Sequence, residues 1–367
     1  MRVAHIGIKG LPARGGAERV VEAVATRLPG LGISPVVYCD RNYTPAETSI
    51  DGLELIRLAS IPGKYGRAIS FNLLAALHAI FLANYDVIHL HHIEASFVLP
   101  ILRLRYKVVA TSHGFAYQID KWSPLAKRMM KLMESPFVKL ANIPTAVSVS
   151  HAQLLSSRFG RSVRFVPNGA GMEYTPDLQK SEMILKSHGL VPGKFLILVT
   201  GRIIPTKGVH LAIEAHNKLK REIPLLIVGD ETQSPAYTQE LRALAGPQIR
   251  FQPHIKDQGV VLGLMAHARS LIFPSLAEAM SMVLLEAASI GVPIICSNIP
   301  ENRQILLDKA TYFELEKIDS LVEKLDWALD NPTKMIELGK QAKENVRQTY
   351  AWDTIASQYA ELYKELA

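Results

Sequence analysis

Short, uninterrupted apolar runs alternate with segments of helical period from one end of this chain to the other. That alternation limits the fold more than any single motif does. "RVAHIGI" reads as a strand, residues 17–28 as a helix, "SPVVYC" as a strand and residues 70–83 as a helix. "YDVIHLH", "YKVVATS" and "PTAVSVS" follow as continuous apolar strands, the form that a parallel sheet buried on both faces requires. The pattern restarts after a Pro, Gly and polar interval, "VPNGAGMEYTPDLQ", the best place for a linker. Beyond it "KFLILVTG", "PLLIVGD", "IRFQPH", "ARSLIFPS" and "VPIICS" read as strands separated by helices. Repeated βα units of this kind predict an α/β fold of two doubly wound parallel sheets. A length of 367 residues leads to the same expectation of two domains. The last segment, "YAWDTIASQYAELYKEL", reads as an amphipathic helix, with Trp352, Ile355, Tyr359, Leu362 and Tyr363 at helical spacing as core contacts.

Composition narrows the setting. At 48% hydrophobic and 20% charged the chain is globular rather than disordered. Its two cysteines, Cys39 and Cys296, are too few for a disulfide framework or a zinc site, so a reducing cytosol is expected. Met1 runs directly into the first strand with no cleavage-like site, so no secretory leader is expected. "FNLLAALHAIFLANY" holds a histidine and falls short of the roughly 20 residues that cross a bilayer. It is expected to be a core helix.

Charge is uneven: residues 1–170 carry 20 Lys and Arg against 10 Asp and Glu, and the remainder carries 21 against 24. A basic N-terminal half points to an anionic partner or to a scattered basic surface. Within it, "DKWSPLAKRMMKLMESPFVKL" (120–140) interleaves Lys121, Lys127, Arg128, Lys131 and Lys139 with Trp122, Met129, Met130, Leu132 and Met133. That stretch suits peripheral contact with an anionic membrane, or a helix whose methionines pack inward. Nucleic acid is not expected as a partner, because basic residues interleaved with stacking aromatics in a binding motif are missing.

Three strand-to-helix junctions carry the chemistry. In "IKGLPARGGAERVVEAV", Gly15 and Gly16 precede a helix whose free N–H groups can meet a phosphate, or they simply shape a turn. Asp40 ends the second strand where a ribose-binding acid would sit in a dehydrogenase, but the glycines do not form GxGxxG, which argues against a nicotinamide site. In "VTGRIIPTKGVHLAIEA", Arg202 and Lys207 share one loop and together suit a diphosphate; solvated charge is the alternative, and P-loop spacing is absent. In "LAEAMSMVLLEAASIGVPII", Glu278 lies in a loop at a strand's C-terminal end, Met280, Ser281 and Met282 begin a helix, and Glu286 sits about one turn inside. Glu286 can take two hydroxyls of a vicinal diol while the amides of 280–282 meet a phosphate, or it is a helix surface charge. No metal is expected, since no Asp or His accompanies the two glutamates. A glycosidase-like acid and nucleophile pair fits the residue types but not the placement of one carboxylate on a loop and the other along a helix.

Taken together, "GGAERVVEAVATRLPGLG", "TSHGF", "VPNG", "GRIIPTKG", "FPSLAEAMSMVLLEAASIGVPII" and "WDTIASQYAELY" resemble the retaining glycosyltransferases of family four. The resemblance spans essentially the whole chain and includes the Glu-x7-Glu motif. It implies the GT-B architecture of two facing Rossmann-like domains. Residues 1–167 plus a returning helix at about 350–367 would bind acceptor, and residues 168–349 would bind a nucleotide-sugar donor. The implied reaction moves a sugar from a nucleotide-diphosphate sugar, UDP-linked by family weight, to a glycan or lipid-linked saccharide, with no cofactor or metal. Gly15 and Gly16 would line the cleft beside the diphosphate, and Arg202 and Lys207 would neutralise it. Glu286 would hold the ribose, Glu278 the transferred sugar, and Met280, Ser281 and Met282 would approach the phosphates. His113 would lie near the reaction centre, and His254 with Ile255 would meet the base. Ala279, Met280 and Ser281 depart from the glycine and aromatic residues common in relatives, and Pro253 stands where glycine is common. The rival expectations are a silent GT-B-like protein that binds a glycan or partner, and a GT-B sugar-nucleotide epimerase.

Overall fold

A computed structural model describes residues 1–63, 65–115, 117, 122–171 and 174–367. The chain divides into two compact units: Met1–Gly169 with Trp352–Ala367, and Ala170–Ala351. The sequence places the boundary at 167/168; residues 172 and 173 of the expected linker lie outside the described residues.

The first unit is built on seven parallel strands: β1 (Arg2–Ile6), β2 (Ser34–Asp40), β3 (Glu54–Leu58), β4 (Val87–His91), β5 (Lys107–Ser112), β6 (Ile143–Ala146) and β7 (Arg164–Phe165). Their spatial order is β3-β2-β1-β4-β5-β6-β7, so the winding reverses between β1 and β4. The second unit has β8 (Leu196–Val199), β9 (Leu225–Gly229), β10 (Ile249–Pro253), β11 (Ser270–Phe273), β12 (Ile294–Ser297) and β13 (Thr311–Phe313), ordered β10-β9-β8-β11-β12-β13. Here the reversal falls between β8 and β11. In open sheets of this kind ligands bind beyond the C-terminal strand ends at such a reversal. Most strands are buried along their length, which is why their sequences read as continuous apolar runs rather than as alternations.

The helix Trp352–Leu366 completes the first unit. Trp352, Ile355, Tyr359 and Tyr363 are buried on it, each contributing on the order of 2 kcal/mol of apolar burial. The indole of Trp352 lies so close to Gly169 that a Cβ there would sit 2.5 Å from the ring. The glycine of "VPNG" is therefore required by the returning tryptophan.

The expected core helix proves to be Gly66–Leu82, and it is core on one face only. Phe71, Ala75, Ala76 and Ala79 are buried, whereas Leu73, Leu74 and Leu77 are exposed, and Phe81 and Leu82 are 74% and 76% exposed. Helix Pro124–Leu132 buries no residue at all, and Leu125, Met129 and Leu132 face out. Lys121 and Asp120, the start of the basic stretch, lie outside the described residues. Tyr65 and Trp122, just ahead of these two helices, pack with ring centroids 5.7 Å apart. No helix among the described residues is long and apolar enough to cross a membrane.

Candidate active site

In the second unit the loops after β8 and β11 flank the reversal, and three contacts bind them together. Leu276 N–H donates to Thr206 O at 2.9 Å. Gly208, at φ +64°, lies against Pro274, whose carbonyl oxygen would stand 2.0 Å from any Cβ at that position. Lys207 Nζ donates to Glu278 Oε1 at 2.6 Å, with side-chain exposures of 21% and 9%. Only glycine allows this approach, so "TKG" and "FPS" meet because Gly208 has no side chain.

Arg202 begins the same loop, half-buried. The hydroxyl of Thr200 donates to its carbonyl at 3.0 Å, and Ile203 N–H donates to Asp230 O at 2.9 Å, anchoring the loop to the segment after β9. The guanidinium of Arg202 forms no ion pair among the described residues.

The helix Met282–Ile290 starts as its sequence implies. Ser281 is its N-cap and accepts from Leu284 N–H at 3.3 Å, which satisfies one of the four free amides of the first turn. Met280 is buried beside it. Glu286 is half-buried one turn in, and its Oε2 accepts from Gln258 Nε2 at 2.8 Å. The helix ends at Gly291 in a left-handed conformation, the "GVP" turn into β12. His254 and Ile255 follow β10, the histidine exposed and the isoleucine half-buried. Arg202, Lys207, Glu278, Met280, Ser281, Met282 and Glu286 thus sit on the loops and helix start at one sheet reversal of one unit.

Gly15, Gly16 and His113 belong to the first unit. Gly15 is the N-cap of helix Gly16–Ala25, in extended backbone, and no side chain caps it. Glu18, in the first turn, folds back so that its Oε2 would lie 2.5 Å from a Cβ at Gly15. A carboxylate near a helix start is favourable, and here the chain supplies its own.

His113 follows β5 and is not isolated. His5 on β1 and His89 on β4 are register partners. His91, two residues beyond His89, therefore shares its face. His5 Nδ1 lies 3.1 Å from His91 Nε2, and His91 Nδ1 lies 3.1 Å from His113 Nε2. His89 has both ring nitrogens engaged, Nδ1 with Tyr363 Oη and Nε2 with Thr111 Oγ1, each at 2.6 Å. Burial lowers His5 to about 3 and holds His89, His91 and His113 well below the ordinary imidazole range. At neutral pH all four rings are uncharged. The backbone at this edge is strained: His92 has φ +72°, and a Cβ at Gly7 would lie 2.1 Å from His91 O. Sequence reasoning singled out His113 but missed His5, His89 and His91. The signal was present as "VAHI" and "VIHLH", histidines at alternate positions inside strands that are otherwise apolar.

Two parallel sheets, each winding outward from a reversal that carries polar loops, define the GT-B class of fold. A family model described as "Glycosyl transferases group 1" matches residues 180–349, and one described as "Glycosyltransferase Family 4" matches residues 14–173. The chain belongs to the family-four glycosyltransferases of GT-B type. Among curated relatives, glycogen synthase of Mycobacterium tuberculosis is 25% identical, covering 95% of this chain and 91% of the relative. The UDP-Gal:alpha-D-GlcNAc-diphosphoundecaprenol alpha-1,3-galactosyltransferase of Escherichia coli is 23% identical over 89% of this chain and 87% of its own. Among solved structures, sucrose-phosphate synthase from Thermosynechococcus elongatus is similar at TM-score 0.82 with 20% identity, covering 100% of this chain and 98% of that one. Anabaena HepE in complex with UDP-glucose is similar at TM-score 0.81 with 17% identity and full coverage of both chains.

Proposed function

We propose that this transferase is a retaining hexosyltransferase that moves a sugar from a UDP-sugar to a glycan or lipid-linked saccharide, without metal. The observation that carries this reading is the cationic loop at the reversal of the second sheet. Lys207 stands there beside Glu278, with Arg202 on the same loop and the capped helix start of Ser281 across from them. A leaving nucleoside diphosphate needs positive charge as the anomeric C–O bond breaks, and a lysine, an arginine and helix amides supply it without a metal ion. The acceptor hydroxyl attacks the anomeric carbon from the face that the diphosphate leaves, and its proton passes to the departing phosphate oxygen. Glu278 meets the transferred sugar's hydroxyls, Glu286 the ribose, and His254 and Ile255 the base. On the first unit, Gly15 and Gly16 at a helix start and His113 after β5 are the residues assigned to substrate contact. A UDP donor is supported by the UDP-Gal named for one relative and the UDP-glucose bound in one solved neighbour.

Peripheral contact with the cytoplasmic face of an anionic membrane is part of the proposal. It is supported by the exposed apolar face of Gly66–Leu82 and by Leu125, Met129 and Leu132 beside Lys127, Arg128 and Lys131. An acceptor on a lipid carrier would be met at that surface, as the diphosphoundecaprenol in one relative's name suggests.

The test is a panel of nucleotide sugars screened by ligand-detected NMR in EDTA, on wild type and Lys207→Ala. Binding of one UDP-sugar, lost in the variant, is expected. Binding that needs a divalent ion would overturn the metal-free reading. Binding of none would favour the silent glycan- or partner-binding protein, and release of an epimerised nucleotide sugar would favour the epimerase.

A further inference from the structure

The first unit contains a line of imidazoles that the diphosphate chemistry does not use. It runs from His5 on β1 through His91 at the end of β4 to His113 after β5, with an N···N separation of 3.1 Å at each junction. His5 and His91 are almost fully buried, and His5 Nε2 has no hydrogen-bond partner. A neutral imidazole has one N–H and one lone pair, so each junction takes one proton and the ring protons along the line must all point the same way. Two arrangements satisfy this. In one, His113 donates inward, His91 donates to His5, and the His5 proton is left on Nε2, a buried N–H with no acceptor. In the other, His5 Nδ1 donates to His91 and His91 Nδ1 donates to His113 Nε2. The bare group at the buried end is then only a lone pair, and the proton of His113 sits on Nδ1. Orphaned buried N–H groups are the rarer and costlier defect, which selects the second arrangement.

We propose that His5 and His91 are positioning residues that hold His113 as its Nδ1–H tautomer, making it a hydrogen-bond donor toward substrate oxygen and not a general base. The part of this that concerns substrate rests on the transferase reading above; the tautomer does not. His5, His89 and His91 also bring ring nitrogens within 4.8 Å of one another, the spacing of a possible metal group. The line of hydrogen bonds accounts for them better, because both nitrogens of His89 are already bonded to Tyr363 and Thr111. A coordinating ring would have to give one of those bonds up.

The test is a long-range proton–nitrogen correlation on the full chain, 15N-labelled in its imidazoles, at neutral pH and without ligand. His113→Asn identifies the signal. The expected wild-type spectrum shows one tautomer of His113, protonated at Nδ1. A proton on Nε2 would overturn the proposal. Two variants of equal bulk then separate positioning from packing. His5→Asn can still donate from its amide to His91 and is expected to keep the single tautomer, whereas His5→Asp can only accept, so His91 is expected to donate to it and His113 to carry its proton on Nε2. A His113 still protonated only at Nδ1 in folded His5→Asp would also overturn it. If that variant does not fold, the wild-type spectrum decides alone. Addition of Zn2+ that shifts these rings before any others would replace the relay with a metal site. A negative donor screen leaves every one of these readouts unchanged, so failure of the transferase reading and failure of the relay are told apart.

Discussion

Lys207 and Glu278 are held 2.6 Å apart by loops that leave β8 and β11, the adjacent central strands of the second sheet. In the absence of a ligand the glutamate therefore neutralises the lysine on which the diphosphate reading depends. On the proposed reading, a diphosphate arriving at Lys207 would compete with Glu278 for the ammonium and free the carboxylate for sugar hydroxyls. Lys207→Ala is expected to lower kcat for a UDP-sugar by about 10²–10³, as loss of one preorganised charge at a leaving group does. In a double-mutant cycle with Glu278→Ala, urea unfolding is expected to give a coupling of about 1–3 kcal/mol, because the pair is largely shielded from water. A coupling near zero would mean that solvent screens it.

Gly208→Ala should destabilise the second unit by about 2–4 kcal/mol, since φ +64° strains alanine and the new Cβ meets the Pro274 carbonyl. Gly201→Ala, on the same loop with nothing within 4 Å, should change stability by less than about 0.5 kcal/mol. Thermal unfolding of the two variants checks the pair. Equal effects would show that the loop yields.

Glu286→Ala is expected to weaken UDP binding by about 1–3 kcal/mol, the value of hydrogen bonds between a carboxylate and hydroxyls. The sharper readout compares UDP with its 2′-deoxy analogue by calorimetry. Wild type should prefer the ribose and the variant should not. A preference that survives would take Glu286 out of the ribose site.

Stability should fall on mild acidification. The rings of His5, held at about 3, and His151, held at about 4, are buried and neutral in the folded chain, and His89, His91 and His113 are shifted in the same direction. Unfolded, each titrates near 6.5, so the unfolded chain takes up more protons as pH drops below that value and the folded state loses ground until the folded values are reached. Each ring contributes about 1.4 kcal/mol per pH unit across that window. Urea midpoints read from Trp122 and Trp352, with Trp327→Phe to silence the second unit, should fall steeply between pH 7 and pH 5. A flat profile is incompatible with buried neutral rings.

Much of the fold was legible because parallel strands covered on both faces leave long apolar runs, and "KFLILV" or "YDVIHL" admits few other readings. The capped start of Met282–Ile290 could also be placed from Ser281 and the "GVP" turn. The short strands β3, β7 and β13 escaped because two to five residues carry little periodicity. The outer face of Gly66–Leu82 escaped for another reason: a helix that is apolar all round reads as buried, and only the structure shows which side lacks a neighbour. The histidine line was missed because residues far apart in the chain become neighbours only through strand order. Nothing in "VAHI" announces that β1 will lie beside β4. The carboxylate of Glu18 at the start of Gly16–Ala25 is likewise a matter of side-chain direction, which spacing does not reveal.

The returning helix has a consequence for biosynthesis. Residues 170–351 form one uninterrupted unit, which can fold as soon as they have left the ribosome. The first unit, although begun earlier, lacks Trp352, Tyr359 and Tyr363 until translation has passed through the whole of the second. Until then Gly169 has no indole against it and His89 has no phenol to hold. The part of the chain made first is thus the last to mature, and a nascent chain stalled before residue 352 would carry a finished second unit beside a first unit still open over its histidines.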